Sequence, residues 1–179
     1  MVPEGQHESP RPPESTSVDC VITQLRQKFD AGASRHEILT ELATAGEIVA
    51  GPRAAVSILV LDEDGLLRNG ASPKLPHDYL QAIDRLKPDA DVGTCASAAA
   101  TGSVVITPDF CADDKWAELR HLPLALGYVA AWSMPIKSPD GTVLGTFGTY
   151  FKDFRTPTPE EYHGVQNLVA IAALVLCGT

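Results

Sequence analysis

Two runs of β-branched, aromatic and small residues, 128–136 (YVAAWSMPI) and 142–151 (TVLGTFGTYF), flank the tetrapeptide Ser138-Pro139-Asp140-Gly141. Proline presets φ for a reversing turn and Asp-Gly completes it, so the two runs read as paired antiparallel strands. A second hairpin is written earlier in the chain. Residues 54–61 (AAVSILVL) are short, apolar and β-branched, Asp62-Glu63-Asp64-Gly65 has turn chemistry, and 66–71 returns. The segment 103–107 (SVVIT), closed by Pro108-Asp109, adds a short strand.

Helical periods surround these strands. Val18, Val21, Ile22, Leu25 and Phe29 recur at helical spacing before a stop at Gly32. Ser34 with Glu37 three residues on predicts a capping box, and Ile38, Leu39, Leu42, Ala45, Ile48 and Val49 keep the 3.6 period behind it. Shorter helices are expected over 76–86 and over 113–126, where Pro123 must distort the last, and a turn followed by a short Ala-rich helix is expected within 91–102. Thr158-Pro159-Glu160-Glu161 opens a final helix to about Cys177, with Thr as N-cap, Pro at N1 and acidic residues in the first turn.

The order α-α-β-β-α-α-β-α-β-β-α contains no βαβ series. It predicts an α+β fold with a central antiparallel sheet of about five to six strands. The first and last helices are expected on one face and the middle helices and loops on the other. Residues 1–17, with Pro3, Pro10, Pro12 and Pro13 and almost no aliphatic side chain, are expected to be a disordered tail, leaving 18–179 as a single domain.

Charge and composition exclude several classes. Twenty-three acidic residues face 14 basic ones, a net charge of −9 with no Lys/Arg cluster, which argues against nucleic acid as a partner. The longest apolar stretch, 168–176, is about half of the roughly 20 residues a membrane helix needs. The N-terminus has neither a basic n-region nor an apolar core, so a cytoplasmic protein is expected. Cys20, Cys95, Cys111 and Cys177 form no C-x-x-C pair, and His7, His36, His77, His121 and His163 have no metal-ligand spacing. Free thiols and no metal are predicted.

Among single residues, Cys95 stands at the start of the Ala-rich helix, where a thiol can be acidified and reactive. Its neighbours are Ala, Ser and Thr without a nearby cation in sequence, so a buried packing thiol is the favoured reading. Trp116 and Trp132 could stack a planar ligand, but core roles are favoured for both. His121, as a lone histidine, does not support haem. No catalytic triad is supported beyond the presence of the letters, no G-x-x-x-x-G-K-[ST] loop occurs, and Gly145-x-x-Gly148 lies inside a strand, where it marks close backbone approach.

Three linked motifs carry a family resemblance. Val92-Gly93-Thr94-Cys95-Ala96-Ser97-Ala98 through Gly102, with Val104-Val105, Asp109 and Trp116, resembles the G-x-C-G-x-A…G…V…D…W segment of bacterial GAF domains; Ala96 replaces their usual glycine. Trp132-Ser133-Met134-Pro135-Ile136 with Gly141 and Val143-Leu144-Gly145-Thr146-Phe147 is similar to their W-S-x-P-I…G-x-V-L-G-T-F strand pair. Arg155-Thr156-Pro157-Thr158-Pro159-Glu160-Glu161 resembles the entry to their final helix.

The resemblance implies a sensory or interaction module of the kind found in histidine kinases and other two-component proteins, diguanylate cyclases and transcriptional regulators. It implies a small-molecule pocket on the sheet face opposite the terminal helices, roofed by residues 73–126, with Cys95, Cys111, Trp116, Leu119, His121, Trp132 and Tyr150 as candidate pocket residues. It also implies a homodimer through the first and last helices, with the broad apolar stripe 165–176 shared between sheet and partner. No output domain fits within the chain, so a signalling protein acting in trans, or a longer product, is expected.

An enzyme alternative comes from the free methionine-(R)-sulfoxide reductases, which use this fold with three cysteines. One matches Cys95, while the other two fall near Arg85 and Leu119, which are not thiols; Cys111 is the remaining candidate partner. The Asn-Lys-x-Phe-Asp-Glu signature of cyclic-nucleotide binders is absent, and neither Cys95-Ala96 nor Cys111-Ala112 has the Cys-His pair of bilin binders, so no cofactor is predicted. A fold kept only for dimerisation is a third reading.

Overall fold

The computed structural model describes residues 15–178, with side chains from Val18 onward; residues 1–14 of the expected tail lie outside the described residues. Helices α1 (Ser15–Asp30) and α2 (Arg35–Ala50) open the fold, followed by strands β1 (Ala55–Leu61) and β2 (Leu67–Ala71). Two short helices, α3 (His77–Ala82) and α4 (Cys95–Thr101), precede β3 (Val105–Thr107). A single 3-10 turn (Asp114–Trp116) and α5 (His121–Ala125) lead to β4 (Ala130–Lys137) and β5 (Val143–Phe151), and α6 (Pro159–Cys177) closes the domain.

The five strands form one antiparallel sheet in the order β2-β1-β5-β4-β3, with the long β5 at its centre. Side chains alternate along β1, β4 and β5, while a register shift between Ile58 and Leu59 interrupts the pattern against β2, whose Leu67 and Ala71 pack on opposite faces. Val56, Ile58, Trp132, Met134, Phe147 and Phe151 point to one face, where α2 and α6 pack. Ala55, Leu59, Ala131 and Tyr150 point to the other, under α3, α4, the 3-10 turn and α5.

The terminal helices therefore share a face as expected, with one refinement: α2 and α6 lie on the sheet and α1 lies on them. Close approach within this layer depends on two glycines. A Cβ on Gly164 of α6 would stand 2.9 Å from Val49 of α2, and one on Gly46 would stand 2.6 Å from the Phe147 ring.

Three element boundaries differ from the sequence reading. Helix α1 begins at Ser15, three residues inside the expected tail. The expected helix 76–86 ends at Ala82, because the chain is pulled out to the edge of β2: Arg85, at φ 62°, donates its N–H to the Leu67 carbonyl and Leu67 donates to Leu86. The expected helix 113–126 is two pieces. Asp113 caps a 3-10 turn by accepting from the Lys115 N–H, and α5 starts afresh so that Pro123 falls in its first turn, where an N–H is not needed.

The helix-entry motif has a physical basis. Arg155 forms a two-pronged ion pair with Glu161 (2.8 and 2.9 Å), donates to the Ala50 carbonyl at the end of α2 (3.2 Å), and lies 3.7 Å above the Phe151 ring. Glu161 also completes the capping box with Thr158. One arginine thus ties α2, β5 and α6 together.

Candidate functional site: the roofed face of the sheet

The floor of this face is made of small and hydroxylic residues. Ser57, Gly148 and Ser133 sit side by side on β1, β5 and β4, with Thr146 two residues along β5. Helix α4 supplies equally small side chains, including Ala96 and Ala99, so it lies directly on the sheet. Gly93, at φ 57°, turns the chain into α4 and donates to the Lys115 carbonyl at 2.7 Å.

The side chain at the start of α4 is Cys95, which is buried and free. A Cβ on Gly148 would be 2.6 Å from its sulfur, so glycine at that strand position is what gives the thiol room. Burial pushes the thiol pKa up, and the facing Ser133 and Thr146 hydroxyls oppose that push without reversing it. Those two hydroxyls are themselves fully buried, and neither makes a hydrogen bond of ordinary geometry.

Beside Cys95 lies a cavity of about 20 Å³, room for a single water. Leu59, Ile83, Leu86, Leu119 and Leu122 supply its apolar wall, and Tyr79, Thr94, Cys95, Trp116 and Tyr150 the rest of its chemistry; no lining side chain carries a formal charge. The Tyr79 and Tyr150 hydroxyls share a hydrogen bond at 3.0 Å. Burial pushes both phenols above the ordinary tyrosine range, so both keep their protons at neutral pH.

Trp116 is fixed on the opposite wall. Its ring packs against Phe110 with centroids 4.1 Å apart, and its indole N–H donates to Thr94 at 2.9 Å. Thr94 donates to Thr107 at 3.3 Å, and Thr107 donates to the Asp113 carboxylate at 3.0 Å. Burial pushes the Asp113 carboxyl up, but the Lys115 side chain and backbone N–H and the Thr107 hydroxyl together bring it below the usual range. This relay locks the start of α4 to β3 and to the 3-10 turn.

Of the candidate pocket residues, the structure brings Cys95, Trp116, Leu119 and Tyr150 together around the cavity. Three are corrected. Trp132 faces the helix layer and stacks on Tyr162 of α6 (centroids 5.7 Å apart), because β4 alternates and it is Ala131 and Ser133 that face the roof. Cys111 is exposed, in the turn that Asp109 caps by accepting from the Cys111 N–H. His121 is exposed at the first position of α5.

The sequence reading missed Tyr79, Thr94, Ser133 and Thr146. For Ser133 and Thr146 a signal existed: once Trp132 and Phe147 are assigned to the helix face, period 2 puts their neighbours on the roof face. Among the described residues no group of three His, Cys, Asp or Glu side chains is placed to hold a metal ion. No helix among them is long and apolar enough to cross a membrane.

This architecture, a five-stranded antiparallel sheet with a helix layer on one side and a roofed cavity on the other, defines a class of domain, and comparison with known proteins identifies it. The GAF domain family model matches residues 32–176, and the chain belongs to that family. It is 30% identical over 161 residues, 88% of its length, to the methyl sulfide methyltransferase-associated sensor of Methanosarcina acetivorans, and spans 16% of the length of that protein.

Among solved structures, the GAF domain of the Acinetobacter phosphoenolpyruvate-protein phosphotransferase is similar with a TM-score of 0.69 at 14% identity, over 92% of this chain and 96% of that one. The reduced form of fRMsr from Staphylococcus aureus is similar with a TM-score of 0.65 at 13% identity, over 89% of this chain and 94% of that one. At such identities the likeness establishes the fold.

Proposed function

We propose that this chain is a cytoplasmic sensory GAF domain without catalytic activity of its own, which takes up a small molecule in the cavity beside α4 and passes its bound state to the helices α1, α2 and α6. The observation that carries this reading is the position of the cavity: it is enclosed by short, separately tethered roof pieces on one side of a rigid sheet, opposite the helix layer. The sensor named among its relatives supports the same reading.

A physical link between the two sides is present. Lys74, in the connection from β2 to α3, donates to the carbonyls of Pro52 (3.4 Å) and Ala54 (3.0 Å) and faces the Glu47 carboxylate of α2 at 3.6 Å. Five residues further on, α3 delivers Tyr79 to the cavity. A ligand that shifts α3 would act on α2 through this clamp. Ile48 of α2 (73% exposed) and Leu174 of α6 (44% exposed) offer apolar contacts on the helix layer for a second copy or a signalling partner in trans.

The alternative, a thiol-dependent reductase, has less support. The Cys95 thiol is buried with a raised pKa, the opposite of an activated nucleophile, and Leu119 stands in the cavity wall where a thiol partner is needed. Native mass spectrometry of protein purified from its own host tests the proposal. The expected result is a dimer carrying a small molecule; a monomer without one would overturn it.

A further inference from the structure

Tyr79 and Tyr150 bring two phenolic protons into a buried place and use one. Their rings meet edge to face with centroids 6.1 Å apart, and their hydroxyls share one hydrogen bond at 3.0 Å. Whichever phenol donates, the second proton of the pair has no acceptor among the described residues. A buried hydroxyl with an unspent proton has lost its water without replacing it, so an acceptor from outside the chain is favoured there.

The cavity wall also restricts charge. It contains no Lys, Arg, His, Asp or Glu, and the nearby Asp113 and Lys115 neutralise each other at 3.0 Å. A charged guest would shed its hydration with no counter-ion to meet it, which costs far more than burying a neutral polar group. Size is restricted as well. The floor is sheet and the near wall is α4, so the half-buried Leu119 and Leu122, carried on one-turn pieces of chain, are the parts of the wall freest to move outward.

We propose, resting on the reading of this cavity as a ligand site, that it takes an uncharged molecule with a compact apolar frame and one hydrogen-bond acceptor, and that the spare phenolic proton of the Tyr79–Tyr150 pair is donated to that acceptor. Four probes sharing a five-membered carbon ring separate the terms: cyclopentanone, methylcyclopentane, cyclopentanecarboxylate and cyclopentylammonium. Binding to the full chain is read from the methyl NMR signals of Leu119 and Leu122.

Neither charged probe is expected to bind measurably, and the affinity of cyclopentanone relative to methylcyclopentane is expected to fall about tenfold in the double variant Tyr79→Phe/Tyr150→Phe. Either single variant leaves one phenol lining the cavity with its proton free and should keep that relative affinity within about twofold. If the double variant does not fold, the infrared carbonyl stretch of cyclopentanone bound to the unmodified chain decides, a hydrogen-bonded carbonyl absorbing at lower frequency than a free one. A charged probe binding as well as the ketone, or a relative affinity unchanged in the double variant, or a bound carbonyl at the free frequency, would overturn the ligand class while leaving the cavity a ligand site. If no probe moves these signals, even in a Leu119→Ala chain read at Leu122, the ligand-site reading fails with it.

Discussion

The two faces of the sheet are built on different principles. On the helix face, Trp132, Phe147, Phe151 and Ile58 interlock with two long helices, and the Arg155–Glu161 pair fixes the frame at one end. On the roof face the strands offer Ser57, Gly148, Ser133 and Thr146, and the covering elements are helices of five to seven residues joined by loops. Large side chains in a close-packed layer resist displacement, while short elements held by a few hydrogen bonds open at low cost. The difference teaches that one face stores stability and the other adaptability, the division a sensor needs.

The sharpest way to break that contrast is to truncate one residue on each side. Phe147→Ala removes a fully buried ring beneath Gly46 of α2 and is expected to cost about 4 kcal/mol of unfolding free energy. Leu119→Ala, at the half-buried edge of the cavity, should cost about 1 kcal/mol. Urea denaturation of both variants measures the difference. Equal losses would show that the roof is as much a part of the stable core as the helix layer.

A second test asks how tightly the roof is seated. Gly148→Ala would place a methyl 2.6 Å from the Cys95 sulfur, and a destabilisation of about 2 kcal/mol is expected. If the clash is the cause, Cys95→Ala should be tolerated and the double variant should recover most of the loss, a coupling read from a double-mutant cycle. Additive effects would mean that α4 rises freely and that the glycine is not needed to seat it.

Legibility in the sequence followed the same division. The helix face was readable because its signals are periodic and local: Ser34 and Thr158 cap their helices as expected, and the hairpin over 138–141 has its turn where Pro-Asp-Gly put it. The roof was harder, because its geometry comes from contacts distant in sequence. Nothing near His77 shows that Tyr79 will meet Tyr150, and nothing near Leu86 shows that Leu67 will draw it out of the helix. Trp132 lay between the two: a large aromatic beside a motif, it stood among the pocket candidates while a core role was favoured, and the strand's alternation gives it to the core.

The smallest expected effect concerns a carboxylate buried in the helix layer at the place where the two faces are joined. Glu47 accepts from the Val56 N–H at 3.2 Å and meets Lys74 from the roof side; the Tyr128 phenol also feels its charge. Burial raises its pKa above the ordinary carboxylate value, and the Val56 and Lys74 contacts do not restore it. A carboxyl whose folded pKa exceeds its unfolded one favours the fold fully at pH below the unfolded value, and that contribution is lost as pH rises through the folded value. Glu47→Gln removes this dependence while keeping an acceptor for Val56. Its stability relative to the unmodified chain should therefore improve between pH 4 and pH 7.5, as read from urea midpoints at both. A difference that stays constant, or falls with pH, would mean that Lys74 compensates the buried charge completely and that the clamp between roof and helix layer is a stable ion pair, not a strained one.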